Sequence, residues 1–249
     1  MSDPTTEVVA APTASPFARI VTVFTAPSKA FAAVKVNSGW WAPFLVSAVV
    51  GLLYAWVLLH KIGMPTLVDG VIHQSPAIES RIASSTPEVA AQIRHQIEFQ
   101  FKFLYIAPVF GLVVGLLSAG VLLATANFGA GGKATFKQML GVWFYGTLPL
   151  TVFSLLVIVA VYAGAASDPF NIKNAIGTNP GFYLADSELP KMLVPLLSAI
   201  DIFAIWTAVL LTIGVSTVAG IKRGAAAVVV VGWWLVVILL QTAGAAFGG

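Results

Sequence analysis

WAPFLVSAVVGLLYAWVLL, residues 41–59, runs nineteen positions without a charged side chain. A helix needs about 20 mainly apolar residues to cross roughly 30 Å of hydrocarbon. The stretch opens on Trp40 and Trp41, residues of the type that settle at a membrane–water interface. Four further stretches read the same way: Phe103–Ala126, Met139–Tyr162, Met192–Val218 and Ala225–Ala245. Of the 249 residues, 58% are hydrophobic and 9% charged, against about 25% charged in an ordinary soluble domain. The sequence therefore predicts an all-α integral membrane protein built as a five-helix transmembrane bundle.

Charge placement sets the expected orientation. With the N-terminus in the cytoplasm, the inner side carries Arg19, Lys29, Lys35, Lys133, Lys137, Lys222 and Arg223, seven bases against Asp3 and Glu7. The other side has six bases and seven acids. The inner connectors are short and purely basic, and short connectors report orientation best. This predicts N-in and C-out. Residues 1–16 are rich in Pro, Thr, Ala and Ser and carry no basic n-region, so they read as a disordered tail and not as a cleaved signal. The membrane domain is expected to occupy 17–249.

Outside the spans, Phe17, Ile20, Val21 and Phe24 recur at helical spacing, with Ser15 and Pro16 as start signals. This amphipathic element either lies on the cytoplasmic face or packs under the bundle. On the outer side, helix starts are expected at Ser75–Pro76 and at Thr86–Pro87. The second of these should run unbroken into the second span, because Val89, Ile93, Ile97 and Phe101 recur every fourth residue. Asn179-Pro180-Gly181 suits a type II turn.

Few residues offer chemistry. With no cysteine, thiolate metal sites, disulfides and a Cys nucleophile are excluded. No cofactor, metal or nucleic-acid motif is present. His60, His73 and His95 match no zinc spacing, and Gly129–Lys133 lacks the flanking residues of a phosphate loop. No hydrolase triad assembles, so an enzyme is not expected. Asp201 stands out, about nine residues inside the fourth span with no Lys or Arg in any span to pair with it. An acid there is either a functional ion- or headgroup-binding site or a hydrogen-bonded stitch to Tyr145, Thr147 or Trp143. Gly111 and Gly115 form a GxxxG, the small-residue spacing of closely packed membrane helices. Trp40, Trp41 and Trp143 are expected at the membrane interface. Pro108, Pro149 and Pro195 are candidates for kinks.

Three places carry a family resemblance: Phe24-Thr25-Ala26-Pro27 through Phe31 with Trp40 to Phe44; Gly177-Thr178-Asn179-Pro180-Gly181-Phe182; and Leu197-Ser198-Ala199-Ile200-Asp201-Ile202-Phe203. In that order they resemble the Yip family of Ypt/Rab-interacting membrane proteins, in its bacterial branch. The resemblance implies five membrane helices with a cytosolic N-terminus, in a bacterial cytoplasmic membrane. The GxxxG, the cytoplasmic amphipathic stripe and the lack of a catalytic set point to a non-enzymatic scaffold or organiser of membrane assemblies, with homo-oligomers or other membrane proteins as partners. The Asp-Leu-Tyr-Gly-Pro element expected before the first span is Gly39-Trp40-Trp41-Ala42-Pro43 here, which puts small-GTPase binding in doubt. The alternative is a small-solute or lipid transporter that uses Asp201.

Overall fold

The computed structural model describes residues 15–164, 170–172, 174–184 and 193–247. Among them are helices and no strands. Five helical stretches are long and apolar enough to cross a membrane: Trp41–His73, Pro87–Gly129, Phe136–Tyr162, Ile202–Ala219 and Arg223–Leu240. The expected tail lies outside the described residues except for Ser15 and Pro16.

Helix α1 (Pro16–Thr25) starts where the Ala18 amide donates to the Ser15 hydroxyl at 3.1 Å. Proline at the first position loses only an amide that had no helical partner. Pro27 cannot extend α1, and instead opens α2 (Pro27–Val36). The element divides between the two readings: Val23, Ala30, Phe31 and Val34 are fully buried under the bundle, whereas Phe17 and Val21 of the α1 stripe are exposed.

Helix α3 (Trp41–Val57) does not stop near Leu59. A wider π-type turn at Leu58–Gly63 carries it into α4 (Met64–His73). Next come α5 (Pro76–Ala83), capped by Ser75, and α6 (Pro87–Lys102), both at the expected starts. A tighter turn at Phe103–Ile106 joins α6 to α7 (Ala107–Ala124), so one helical path enters the membrane. Outside it, α4, α5 and α6 form a cap. Its core is Leu67, Val68, Ile72, Ile97 and Phe101, covered by Phe170 and Ala175.

Helix α8 (Phe136–Gly146) begins with a reciprocal cap between Thr135 and Gln138, three residues before the predicted span. Thr147 separates it from α9 (Leu148–Tyr162), which has Pro149 in its first turn. In α10 (Pro180–Leu184) the expected type II turn is replaced by a helix start. The Phe182 amide donates to the Asn179 side-chain oxygen at 3.0 Å, and Gly181 does not have the positive φ that turn requires.

The fourth predicted span is divided into α11 (Leu193–Ala199) and α12 (Ile202–Ala219), with the break at Ile200 and Asp201. The 18 residues of α12 cover about 27 Å at about 1.5 Å per residue, enough to cross without α11. Helix α13 (Arg223–Phe247) completes the bundle.

Helix α12 is the central post: 44% of its span is buried, against 11% for α13. Helix α2 reaches α12 and α8 because glycines let it. A Cβ on Gly214 would stand 2.9 Å from a Phe31 ring carbon, and one on Gly141 would stand 2.7 Å from a Val34 methyl. Elsewhere Val109, Val113 and Leu117 on α7, and Leu239 and Leu240 on α13, face outward. Water would penalise that surface, and lipid does not.

Candidate functional site

Asp201 is not a mid-helix acid. It is the N-cap of α12, where one carboxylate oxygen accepts from the Phe203 amide at 2.8 Å and the Ala204 amide at 3.2 Å. The first amides of a helix have no partner within it, and a short acidic side chain satisfies them. The second carboxylate oxygen accepts from the Thr178 hydroxyl. The Ile202 amide in turn donates to the Thr178 carbonyl at 3.2 Å. Thr178 and Asp201 thus clasp the α9–α11 connector to the N-terminal end of α12.

The clasp extends through amides. The buried Asn179 donates to the Asn174 side-chain oxygen at 2.9 Å, and Asn174 donates to the Ser198 hydroxyl at 3.1 Å. Sequence reasoning misses these partners, although a signal is present. An aspartate directly before an apolar helical run is a start signal, and Asn179-Pro180 is another.

Tyr145 and Thr147, expected beside Asp201, are elsewhere. The Tyr145 hydroxyl donates to the Pro16 carbonyl at 2.7 Å and to the Gly39 carbonyl at 3.4 Å. Over its ring lies Arg19, 5.7 Å from guanidinium carbon to centroid. Arg19 is only 2% exposed. One of its terminal nitrogens donates to the Asn37 carbonyl and, at 3.5 Å, to the Ser38 carbonyl, while its Nε is buried without a partner. Asn37 is the C-cap of α2, where unpaired carbonyls and the helix dipole both favour a cation. That makes burial of the charge tolerable without a carboxylate among the described residues. Thr147 closes α8 on itself, donating to the Trp143 carbonyl at 2.9 Å.

A crevice of about 280 Å³ opens between α3, α7 and the α8–α9 break. Gly51 and Gly111 form part of its wall, with Trp143, Thr147 and Thr151. Ser47 and Thr151 bond to each other across it at 2.8 Å. The two glycines of the GxxxG serve different ends. Gly115 abuts Phe144, whose ring carbon would be 2.6 Å from an added Cβ, whereas Gly111 has nothing within 4 Å. Trp40 stacks on Phe144 at 5.8 Å, and Trp41 meets Phe17 edge-on at 5.4 Å. Pro108 and Pro149 each fall in the first turn of a helix, and Pro195 lies in α11. Each sits in the first turn of its helix, and Pro149 does so at the middle of the candidate span Phe136–Tyr162, where α8 gives way to α9. No group of three His, Asp or Glu is gathered among the described residues. Nor is the Gly129–Lys133 turn loose. Asn127 holds both backbone groups of Ala134, at 2.9 and 3.0 Å.

These features define a helical integral membrane protein with five candidate spans. The chain belongs to the Yip1 domain family, which matches residues 21–244. The match takes in the Asp201 clasp and all five candidate spans and begins just after Arg19. No curated protein and no solved structure matches the chain.

Proposed function

We propose that the protein is a scaffold or organiser of membrane-protein assemblies, of the bacterial branch of its family. We place it in the cytoplasmic membrane with its N-terminus inside. The observation that carries this reading is the engagement of Asp201. Both of its carboxylate oxygens are taken up within the chain, so the acid that made a transporter attractive is a structural cap. Gly39-Trp40-Trp41-Ala42-Pro43 in place of the trafficking members' acidic element supports the bacterial assignment, and a small GTPase is not proposed as a partner. The outer cap and the cytoplasmic helices supply surfaces on both sides of the bilayer. Crosslinking in native membranes tests the role. Homo-oligomers or repeatable membrane-protein adducts are expected, and recovery of monomer alone overturns it.

One observation favours a second reading, lipid handling. The crevice beside Gly111 opens within the membrane and is lined by hydroxyls at Ser47, Thr147 and Thr151. A Gly111→Leu variant fills it. Reduced lipid scrambling in reconstituted vesicles supports that reading, and unchanged scrambling removes it.

A further inference from the structure

Six cations are gathered on the cytoplasmic end of the bundle. Lys29 and Lys35 lie on α2, Lys133 and Lys137 flank the start of α8, Lys222 precedes α13 and Arg223 opens it; all are exposed. Hydrogen bonds lace the three segments into one surface. Arg223 donates to the Ser28 hydroxyl at 3.2 Å. Gln138 donates to the Lys35 carbonyl at 2.7 Å. The Lys133 amide donates to the Ala219 carbonyl at 3.0 Å. No carboxylate of the described residues lies at this end. The outer cap differs, since Lys61, Arg81, Arg94 and Lys102 are mixed there with Asp69, Glu79, Glu88 and Glu98.

Apolar side chains edge the same surface. Phe128 is 92% exposed, Val36 77% and Phe136 40%. Helix α1 adds Phe17 and Val21, which point outward while its one charge, Arg19, points in. Cations interleaved with outward Phe and Val suit a ligand that has both a phosphate and an acyl chain. A free anion has no use for the Phe and Val side chains.

We propose that this end is a binding platform for acidic phospholipids, engaging their headgroup phosphates through the six cations and their upper acyl chains through Phe128 and Phe136. The inference stands on charge and exposure and does not depend on the scaffold role. Its consequence is a protein that collects anionic lipid around its cytoplasmic end.

The test uses the full-length protein in an uncharged detergent, with the thermal unfolding midpoint as readout. Short-chain phosphatidylglycerol, short-chain phosphatidylcholine, inorganic phosphate and polyglutamate are titrated separately. Phosphatidylglycerol is expected to raise the midpoint saturably, less so as salt rises and exposed charges are screened. Phosphatidylcholine is expected to do nothing. Each cation near an anionic surface is worth about fivefold in affinity. Replacing Lys29, Lys35, Lys133, Lys137 and Lys222 with Gln should therefore require more than about a hundredfold more lipid. Should that variant not fold, the pair Lys133→Gln and Lys137→Gln is expected to require about twenty-fivefold more. The outer pair Arg81→Gln and Lys102→Gln should titrate as the parent does. Equal response to both lipids, or an unchanged titration in the Lys→Gln variants, overturns the proposal. A shift from phosphate at the same concentration as phosphatidylglycerol makes the platform a free-anion site and overturns it too. Displacement of the lipid by polyglutamate assigns the surface to an acidic protein segment and likewise overturns the lipid platform.

Discussion

Arg19 and Tyr145, 126 residues apart in sequence, share one buried node in which the guanidinium lies 5.7 Å from the centre of the phenol ring. The phenol hydroxyl reaches the Pro16 carbonyl at 2.7 Å, so α1 is held to α8 at both ends of the same side chain. A cation within about 6 Å of an aromatic face is attracted by the ring quadrupole. The α2 carbonyls complete the cage on the other side.

Tyr145→Phe keeps the ring and removes the hydroxyl. A net intramolecular hydrogen bond is worth about 1 kcal/mol, so the variant should unfold at a lower temperature with its helical content unchanged. An unaltered midpoint by circular dichroism in detergent would show that the bond to Pro16 does not fasten α1.

Gly39→Ala should cost more. Its φ of +51° is a conformation that side chains resist, and the new Cβ would lie 2.8 Å from an Arg19 nitrogen. The left-handed backbone alone costs about 1–2 kcal/mol, and displacement of a buried guanidinium adds to it. The expected result is a larger drop in midpoint than for Tyr145→Phe, with faster proteolysis near α1.

Asp201→Ala removes the cap of α12 and the Thr178 contact together. Loss of a cap costs about 0.5–2 kcal/mol, and Asp201→Asn should recover most of it because the amide oxygen still accepts. If Asn and Ala proved equally damaging, charge and not capping would be the role of this residue.

Gly115→Ala and Gly111→Ala separate the two ends of the GxxxG. At Gly115 the methyl would meet Phe144 at 2.6 Å, and that ring is fixed by Trp40 and Phe44. Overpacking of this kind costs about 1–3 kcal/mol. At Gly111 the methyl meets open space, and stability should stay level or rise slightly. Thermal midpoints of the two variants decide it.

Arg94→Ala tests the cap formed by α4, α5 and α6. Arg94 and Asp69 lie 2.7 Å apart but are 46% and 45% exposed. Exposed pairs contribute about 0–1 kcal/mol, so the midpoint should hardly move and should lose any salt dependence attributable to the pair.

The helices are legible because long uncharged runs such as residues 41–59 admit few other readings. Helices α5 and α6 announce themselves through Ser75-Pro76 and Thr86-Pro87. What hydropathy does not show is the interruption at Asp201. Residues 193–199 are as apolar as those after Ile202, and a window average runs across the break. The acid that ends one helix and starts the next therefore reads as an acid within a single helix. Arg19 counts among the cytoplasmic cations by sequence for a related reason. The carbonyls of Asn37 and Ser38 that surround it come from another part of the chain, and only folding brings them near. The pairing of Asp201 with Thr178 depends on the α9–α11 connector, whose path no local pattern specifies.

The helical path from Pro87 to Gly129 has 43 residues and is therefore about 64 Å long, roughly twice the thickness of the hydrocarbon it crosses. The surplus has no lipid to sit in. The α6 half of the path therefore stands in water and holds the cap of α4, α5 and α6 clear of the bilayer.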